Sequence, residues 1–476
     1  MIRSAILTAS LFSIAATAAP APEDALVRGN TEFAVDLYAQ LRTQPGNLFL
    51  SPHSISTALA MTSAGAAGNT AAQMAATLHL PKEGDAHAAF ARLEAGLLAI
   101  QEKGGVKMST ANSLWPDKDS TFLPSFLDLC RTHYGADITP QDFRGAPEAA
   151  RKTINDWVAD RTAGRIQDLL GPGVIDALTR MVLVNAIYFK GDWAVRFDPA
   201  NTKPGKFFTA EGDRAIPLMH RRGSIRYAAT DTLQLVELPY AGNDLSMLVL
   251  LPRDLNGLPA MEAALTADKL TEWTKALRPR DVKLFLPRFK VEAQFSLKPS
   301  LTAMGMGEAF DADKADFSGM NGRKDLFIGA VIHKAFVEVN EAGTEAAAAT
   351  AVVMMTRAAL PPADEPVEFL ADHPFLFFLR DMRTGAILFA GRLATPAGGE
   401  AAPKKAGPVE LPWEEFKAIA LKGENIESVF QTHSRDVTLH MKDGTTYHSV
   451  EPGIDDIIVL MRGKPGKVAE IPIATE

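Results

Sequence analysis

The sequence predicts an α+β fold followed by a second, smaller α+β unit. Three observations carry this. Residues 25 to about 105 are patterned as helices, residues 181–393 hold one apolar or alternating run after another, and the composition breaks after Leu393. Helices first and strands later argue against repeated βαβ units, which would alternate the two.

In the N-terminal block, "SPHSISTALAMTSAG" opens on Ser51 and Pro52 and closes at Gly65. A capping hydroxyl followed by a proline is a helix start, because the ring presets φ and no donor is lost there. "AAGNTAAQMAATLHL" predicts a second helix, capped by Asn69 or Thr70. "VKMSTANSLW" predicts a strand, "STFLPSFLDLCRTHYG" and "APEAARKTINDWVADRT" helices, and "TRMVLVNAIYFKGDW" a long strand. Met181 to Phe189 is almost continuously apolar, as in a central strand covered on both faces. Asn185 interrupts that run and needs buried partners, since an unpaired amide there is costly. Further strands are expected in "AIPLMHRRGSIRYAA", "LQLVELPYAGNDLSMLVLLP", "DVKLFLPRFKVEAQF", "LFIGAVIHKAFVEVN", "PFLFFLRD" and "GAILFAGRL".

"ATPAGGEAAPKKAGPVE" has the Pro, Gly, Ala and Lys content of a linker. The expected boundaries are a first domain over 25–396, a linker over 397–408 and a small unit over 409–476. The small unit reads as helix, strand, a hairpin turning at Lys442-Asp443-Gly444, helix and strand, Asp-Gly being a strong hairpin signal.

The chain starts "MIRSAILTASLFSIAATAAPAPED": Arg3, an apolar core from Ala5 to Ala16, and small residues at Ala16-Thr17-Ala18. This predicts a signal peptide over 1–18 and export to a periplasm or the medium. The apolar run is too short to span a bilayer, so no membrane insertion is expected. With Cys130 alone, no intramolecular disulfide forms, and its helical spacing from Phe126 and Leu127 predicts a buried thiol rather than a reactive one.

A net charge of −8 and a pI near 5.8 argue against nucleic acid, which needs a basic face. No nucleophile elbow, zinc-protease helix or phosphate loop is present, and the ten histidines are scattered, His433, His440 and His448 without ligand spacing. These absences lower the expectation of an enzyme and leave a dispersed active site open; no metal or cofactor is expected.

"EAGTEAAAATAVVMMTRAALPPADEP", residues 341–366, raises a different possibility. Ala346 to Ala349 favour helix, whereas Thr350, Val352, Val353 and Thr356 favour extended chain. Mixed propensity suits a segment that adopts two conformations. As a strand it would place Thr344, Ala346, Ala348, Thr350, Val352 and Met354 on one face, all small or apolar, and no proline interrupts it before Pro361.

"EAGTEAAAATAVVM" resembles the hinge of a serpin reactive-centre loop. The similarity extends over about 25–396 through "NLFLSPHSISTALAMTSAGAAGNT", "LVNAIYFKGDW", "LPRFKVEAQFSLKPSLTAMGM", "VIHKAFVEVNEAGTEAAAAT" and "DHPFLFFLRDMRTGAILFAGRL". The resemblance implies the serpin fold (helices plus three β-sheets and an exposed reactive-centre loop) and a serine protease inhibitor consumed by its own mechanism. Its hinge would be Gly343, Thr344, Glu345, Ala346, Ala347, Ala348, Ala349 and Thr350, with Thr344 exposed until the loop is cut. The usual spacing of inhibitory serpins, counted from Glu341, puts the reactive-site bond at Arg357–Ala358. An arginine there suits the acidic pocket of a trypsin-like protease, the implied partner. The stretch from Ala358 to His373 is longer than in many serpins, which leaves Met354 or Met355 open as cleavage points.

By the same resemblance Ser51, Ser54, Asn185 and His333 form a polar cluster beneath the central strands, Glu341 pairs with Arg288, and Trp193 packs nearby. A monomer is implied. The alternative is a serpin-fold protein that has lost inhibition and acts in binding or chaperoning. The C-terminal unit resembles the small extracytoplasmic domain of FtsH-type membrane proteases. That implies an interaction module of unidentified partner, with an inert folded appendage equally open.

Overall fold

The computed structural model divides into two units, residues 1–396 and 397–476. It describes residues 22–136, 138–210, 212–344, 365–396, 409–431, 435–442, 446–453, 456–464, 468 and 471–475. The expected signal peptide and linker lie outside them.

The first unit opens with α1 (Pro22–Leu41), β1 (Leu48–Leu50), α2 (Pro52–Ser63), α3 (Gly68–Thr77), α4 (Ala86–Glu102), β2 (Val106–Pro116), α5 (Pro124–Tyr134) and α6 (Pro147–Arg161). Ser51 caps α2 by accepting the Ser54 N–H, as its place before Pro52 predicts. The expected cap of α3 is corrected. The helix starts at Gly68 after Ala67 with no side-chain cap, because Asn69 bonds Glu308 and the Thr70 hydroxyl accepts from the Asp316 N–H. Tertiary bonds take the side chains that were expected to cap.

Next come β3 (Met181–Asp192), β4 (Lys203–Thr209), β5 (Gly212–Ala229), β6 (Leu233–Pro239), β7 (Leu245–Pro252), α7 (Leu258–Ala264), α8 (Ala267–Ala276), β8 (Arg278–Pro287) and β9 (Phe289–Ser296). They are followed by α9 (Lys298–Ala303), α10 (Ser318–Asn321), β10 (Ala330–Val339), β11 (Gly343–Thr344), β12 (Val367–Leu370), β13 (Phe375–Asp381) and β14 (Ile387–Leu393). The long strand β5 links two runs into one nine-stranded sheet. Its C-terminal end pairs with β6 in the run β1-β14-β13-β7-β6, and its earlier part pairs with β4 and β8, the latter joined by β12. A separate five-stranded sheet runs β2-β3-β11-β10-β9.

One apolar layer lies between the helices and the sheets (Phe33, Leu59, Met61, Leu183, Phe378), and another between sheets (Phe189, Tyr240, Val249, Leu284, Phe377). The outer face of β2, β3 and β10 is covered by α6 and the segment after it, through Ile154, Val158, Ile166 and Leu169. The helix α2 is buried from Pro52 to Thr62, so its polar side chains bond internally: Thr57 and Thr62 donate to carbonyls one turn back, and Ser56 donates to Asn30.

The second unit holds β15 (Val409–Glu410), α11 (Trp413–Lys422), β16 (Ile426–Gln431), β17 (Asp436–Met441), β18 (Thr446–Val450), α12 (Asp456–Arg462) and β19 (Ile473–Thr475). Its sheet order is β15-β18-β17-β16-β19, over a core of Phe416, Val429, Leu439, Ile457 and Met461. Asp443 and Gly444 of the expected turn lie outside the described residues. No described helix is long and apolar enough to cross a membrane.

Candidate functional site: the seam between two central strands

The strands β3 and β10 run parallel and pair directly from Ala330↔Val182 to Phe336↔Tyr188. Above Phe336 the direct pairing ends and the chain following β10 folds back between them. Gly343 and Thr344 of β11 pair antiparallel with Asp192 and Gly191 of β3, and Thr344 pairs with Val339 of β10.

Three local features make this return possible. The Asn340 side chain accepts the N–H groups of Ala342 (3.0 Å) and Gly343 (3.3 Å), which fixes the turn. Gly343 lies flat on β3: a Cβ there would stand 2.0 Å from the Gly191 carbonyl oxygen. Gly191 in turn leaves room for two rings, since its own Cβ would meet Phe189 and Tyr240 at 2.8 Å. The sequence reading expected Thr344 to be exposed, and this is corrected. Thr344 is 0% exposed and its hydroxyl is 2.8 Å from that of Tyr240. The reason is the gap left where β3 and β10 stop pairing, which offers the hinge backbone partners on both sides.

Aromatic rings hold this corner. The Trp193 ring stacks on Tyr240 with centroids 4.7 Å apart, and Phe189 meets Tyr240 edge-on at 5.0 Å. Trp193 donates its indole N–H to the Asn340 carbonyl at 2.9 Å and its backbone N–H to Ala342 at 2.9 Å. Burial pushes the Tyr240 phenol far above its usual range, so it remains an O–H. Beside the turn, the Glu341 carboxylate accepts from Arg288 Nε at 2.7 Å and from the Thr202 hydroxyl. Burial pushes that carboxyl up, but the hydrogen bonds from Arg288 and Thr202 outweigh it and hold Glu341 below the usual carboxylate range.

Lower in the seam the structure brings Ser51, Ser54, Asn185 and His333 together. His333 and Asn185 face each other across β10 and β3, and their side chains are bonded Nδ1 to Oδ1. His333 Nε2 accepts the Ser51 backbone N–H at 3.1 Å, so Nδ1 carries the proton. Burial pushes the His333 imidazole down to about 3, so it is neutral. The Asn185 amide donates to Ser54 Oγ (2.7 Å) and to Asn112 Oδ1, and Ser54 Oγ also donates to Asn112 Oδ1 (2.9 Å). The Ser51 hydroxyl donates to the Leu388 carbonyl at 2.7 Å, tying the cluster to β14.

Asn112 was missed by sequence reasoning. The signal was present: it sits mid-strand in "VKMSTANSLW" as Asn185 does in its own strand, and β2 and β3 pair in the register that puts the two opposite each other. Glu345, Ala346, Ala347, Ala348, Ala349, Thr350, Met354, Met355, Arg357 and Ala358 lie outside the described residues. Cys130 is buried in α5 with its thiol pushed up to about 12 by burial, an inert form.

Comparison with known proteins bears on the same region. A family model described as serpin (serine protease inhibitor) matches residues 28–396. The human leukocyte elastase inhibitor is 44% identical over 383 residues, which is 78% of this chain and 99% of that protein. Human serpin B8 is also 44% identical, over 381 residues, 78% of this chain and 100% of that protein. Among solved structures, Serpin48, a highly specific serpin of the insect Tenebrio molitor, superposes with a TM-score of 0.69 at 31% identity, covering 78% of this chain and 98% of that one. Matched along nearly the whole length of these relatives, the chain belongs to the serpins, a family of protease inhibitors and not of enzymes.

Proposed function

We propose that this chain inhibits a trypsin-like serine protease by suicide-substrate trapping, with the reactive-site bond at Arg357–Ala358. The seam supports this reading best. Below the hinge, β3 and β10 pair in parallel, slightly the weaker kind, with the His333–Asn185 bond across them. A strand continuing from Thr344 would replace this pairing with two antiparallel ladders, the orientation β11 already has toward both neighbours. It would also turn Ala346, Ala348 and Thr350 to the same face as Thr344, and all three are small.

In this mechanism the protease serine attacks the Arg357 carbonyl carbon, an ester forms, and the Ala358 amine leaves. The severed hinge enters the seam and draws the esterified protease with it. The fourteen residue steps from Gly343 to Arg357 span ~46 Å as a strand, enough to carry the enzyme across a domain. Its distorted site no longer hydrolyses the ester. The uncut form is a kinetically trapped state. The Arg357 guanidinium supplies specificity by pairing with a carboxylate in the protease pocket.

A second reading places the cut at Met354 or Met355. The name of the leukocyte elastase inhibitor favours it, since elastase pockets take uncharged side chains. A non-inhibitory binding or chaperone-like role is the alternative, and the small residues of the hinge speak against it. We further propose export through residues 1–18, a monomeric state, and an interaction role for residues 409–476, in keeping with their resemblance to the FtsH-type module; the serpin match ends at Pro396 and does not extend to them. Mixing the full chain with trypsin and running a denaturing gel tests the main proposal: it predicts an SDS-stable complex, and cleavage without complex contradicts it.

A further inference from the structure

We propose that Tyr240 is a positioning residue for inhibition: its hydroxyl holds Thr344 in the sheet before any cleavage, so that loop insertion begins by extending a strand already started. The proposal rests on the loop-insertion reading and adds to it the residue that primes insertion.

Both hydroxyls are fully buried and stand 2.8 Å apart. Among the described residues, each is the other's side-chain partner. The Tyr240 ring cannot follow a departing Thr344, because Trp193 stacks on one face, Phe189 meets its edge and Gly191 lies close beside it. The rung is therefore built on a fixed post. It steadies Thr344 where its backbone pairs with Gly191, next after Gly343 with Asp192, and with Val339 on the other side, the leading ends of the two ladders an inserted strand would extend.

Starting a strand orders several residues for few bonds, whereas extending one gains a pair for each residue ordered. After the cut, insertion competes with hydrolysis of the acyl-enzyme, so a strand already started shifts the outcome toward trapped protease. A hydroxyl left buried without its partner favours leaving the site, whereas removing both hydroxyls together leaves neither unsatisfied.

The test uses the full chain in four forms: wild type, Tyr240→Phe, Thr344→Val and the double variant. With trypsin, and with elastase for a cut at Met354 or Met355, the stoichiometry of inhibition and the second-order association rate are measured together. Each single variant should consume more inhibitor per trapped protease, by up to about tenfold for one lost buried hydrogen bond. The association rate should stay unchanged, since the bond attacked is the same. The double variant should return toward wild type. A merely structural role would lower thermal stability without moving the stoichiometry. Unchanged stoichiometry in both single variants, or a double variant no better than the worse single one, overturns the proposal. If wild type traps neither protease, the loop-insertion reading fails and this proposal falls with it.

Discussion

His333 and Asn185 face each other in two parallel strands, and the bond from the imidazole Nδ1–H to the amide oxygen crosses the seam that an inserted strand would open. The other ring nitrogen is occupied by the Ser51 N–H, which leaves no acceptor for a second ring proton. Neutrality of this histidine is thus a condition of the resting structure.

That condition predicts a pH dependence. In the unfolded chain a histidine titrates near 6.5, whereas burial holds His333 at about 3. Between these values the unfolded state binds the extra proton. The stability contributed by neutral His333 is therefore full above about 6.5 and falls as pH drops toward 3, by up to ~1.4 kcal/mol per pH unit. Denaturant midpoints of the uncut protein at pH 7.5 and pH 5 should show the loss, and His333→Gln should flatten the slope. An equal slope in that variant would contradict the assignment.

Asn112→Ala removes one acceptor that serves both the Asn185 amide and the Ser54 hydroxyl. Leaving these donors unpaired should destabilise the uncut protein by about 1–3 kcal/mol. Equilibrium unfolding measures it, and a change within a few tenths would show that water replaces the side chain.

Much of the fold was legible because punctuation and pattern agreed. Proline and glycine bracket α5, and β3 is too apolar to lie anywhere but between two layers. The helices α7 and α8 were not read, being short pieces between strong strand signals. At the site, Asn185 announced its need for partners, but its partner Asn112 lies 73 positions away and only the strand register unites them. The seating of Thr344 could not be read at all. It depends on Gly343 lying against Gly191 and on Tyr240, which in the sequence is one residue of the run "LQLVELPYAGNDLSMLVLLP" with nothing to link it to the hinge.

Gly343→Ala should unseat the hinge, because the added methyl would overlap the Gly191 carbonyl. The expected result is a protein that folds and is cut by trypsin, yet traps less enzyme than wild type. Equal trapping would mean that the hinge enters the sheet without needing this close approach.

Arg357→Ala should sharply reduce complex formation with trypsin through loss of the charge-assisted pairing, with the thermal midpoint of the uncut chain unchanged. Unchanged trypsin trapping would move the reactive-site bond elsewhere, and elastase trapping abolished by changes at Met354 or Met355 would identify it there.

The chain cut after residue 398 should fold and inhibit as the full chain does, because the two units form separate compact bodies. Loss of solubility or of inhibition would show that residues 409–476 support the inhibitor.

The central claim is that cutting the loop adds a strand between β3 and β10. Thermal unfolding of the full chain before and after a single cut in the loop tests it most directly. About ten new backbone pairs at ~1 kcal/mol each should raise the midpoint by on the order of 20 °C. A midpoint that stays the same or falls after the cut would mean that no strand has been added, and that this serpin does not trap its target by insertion.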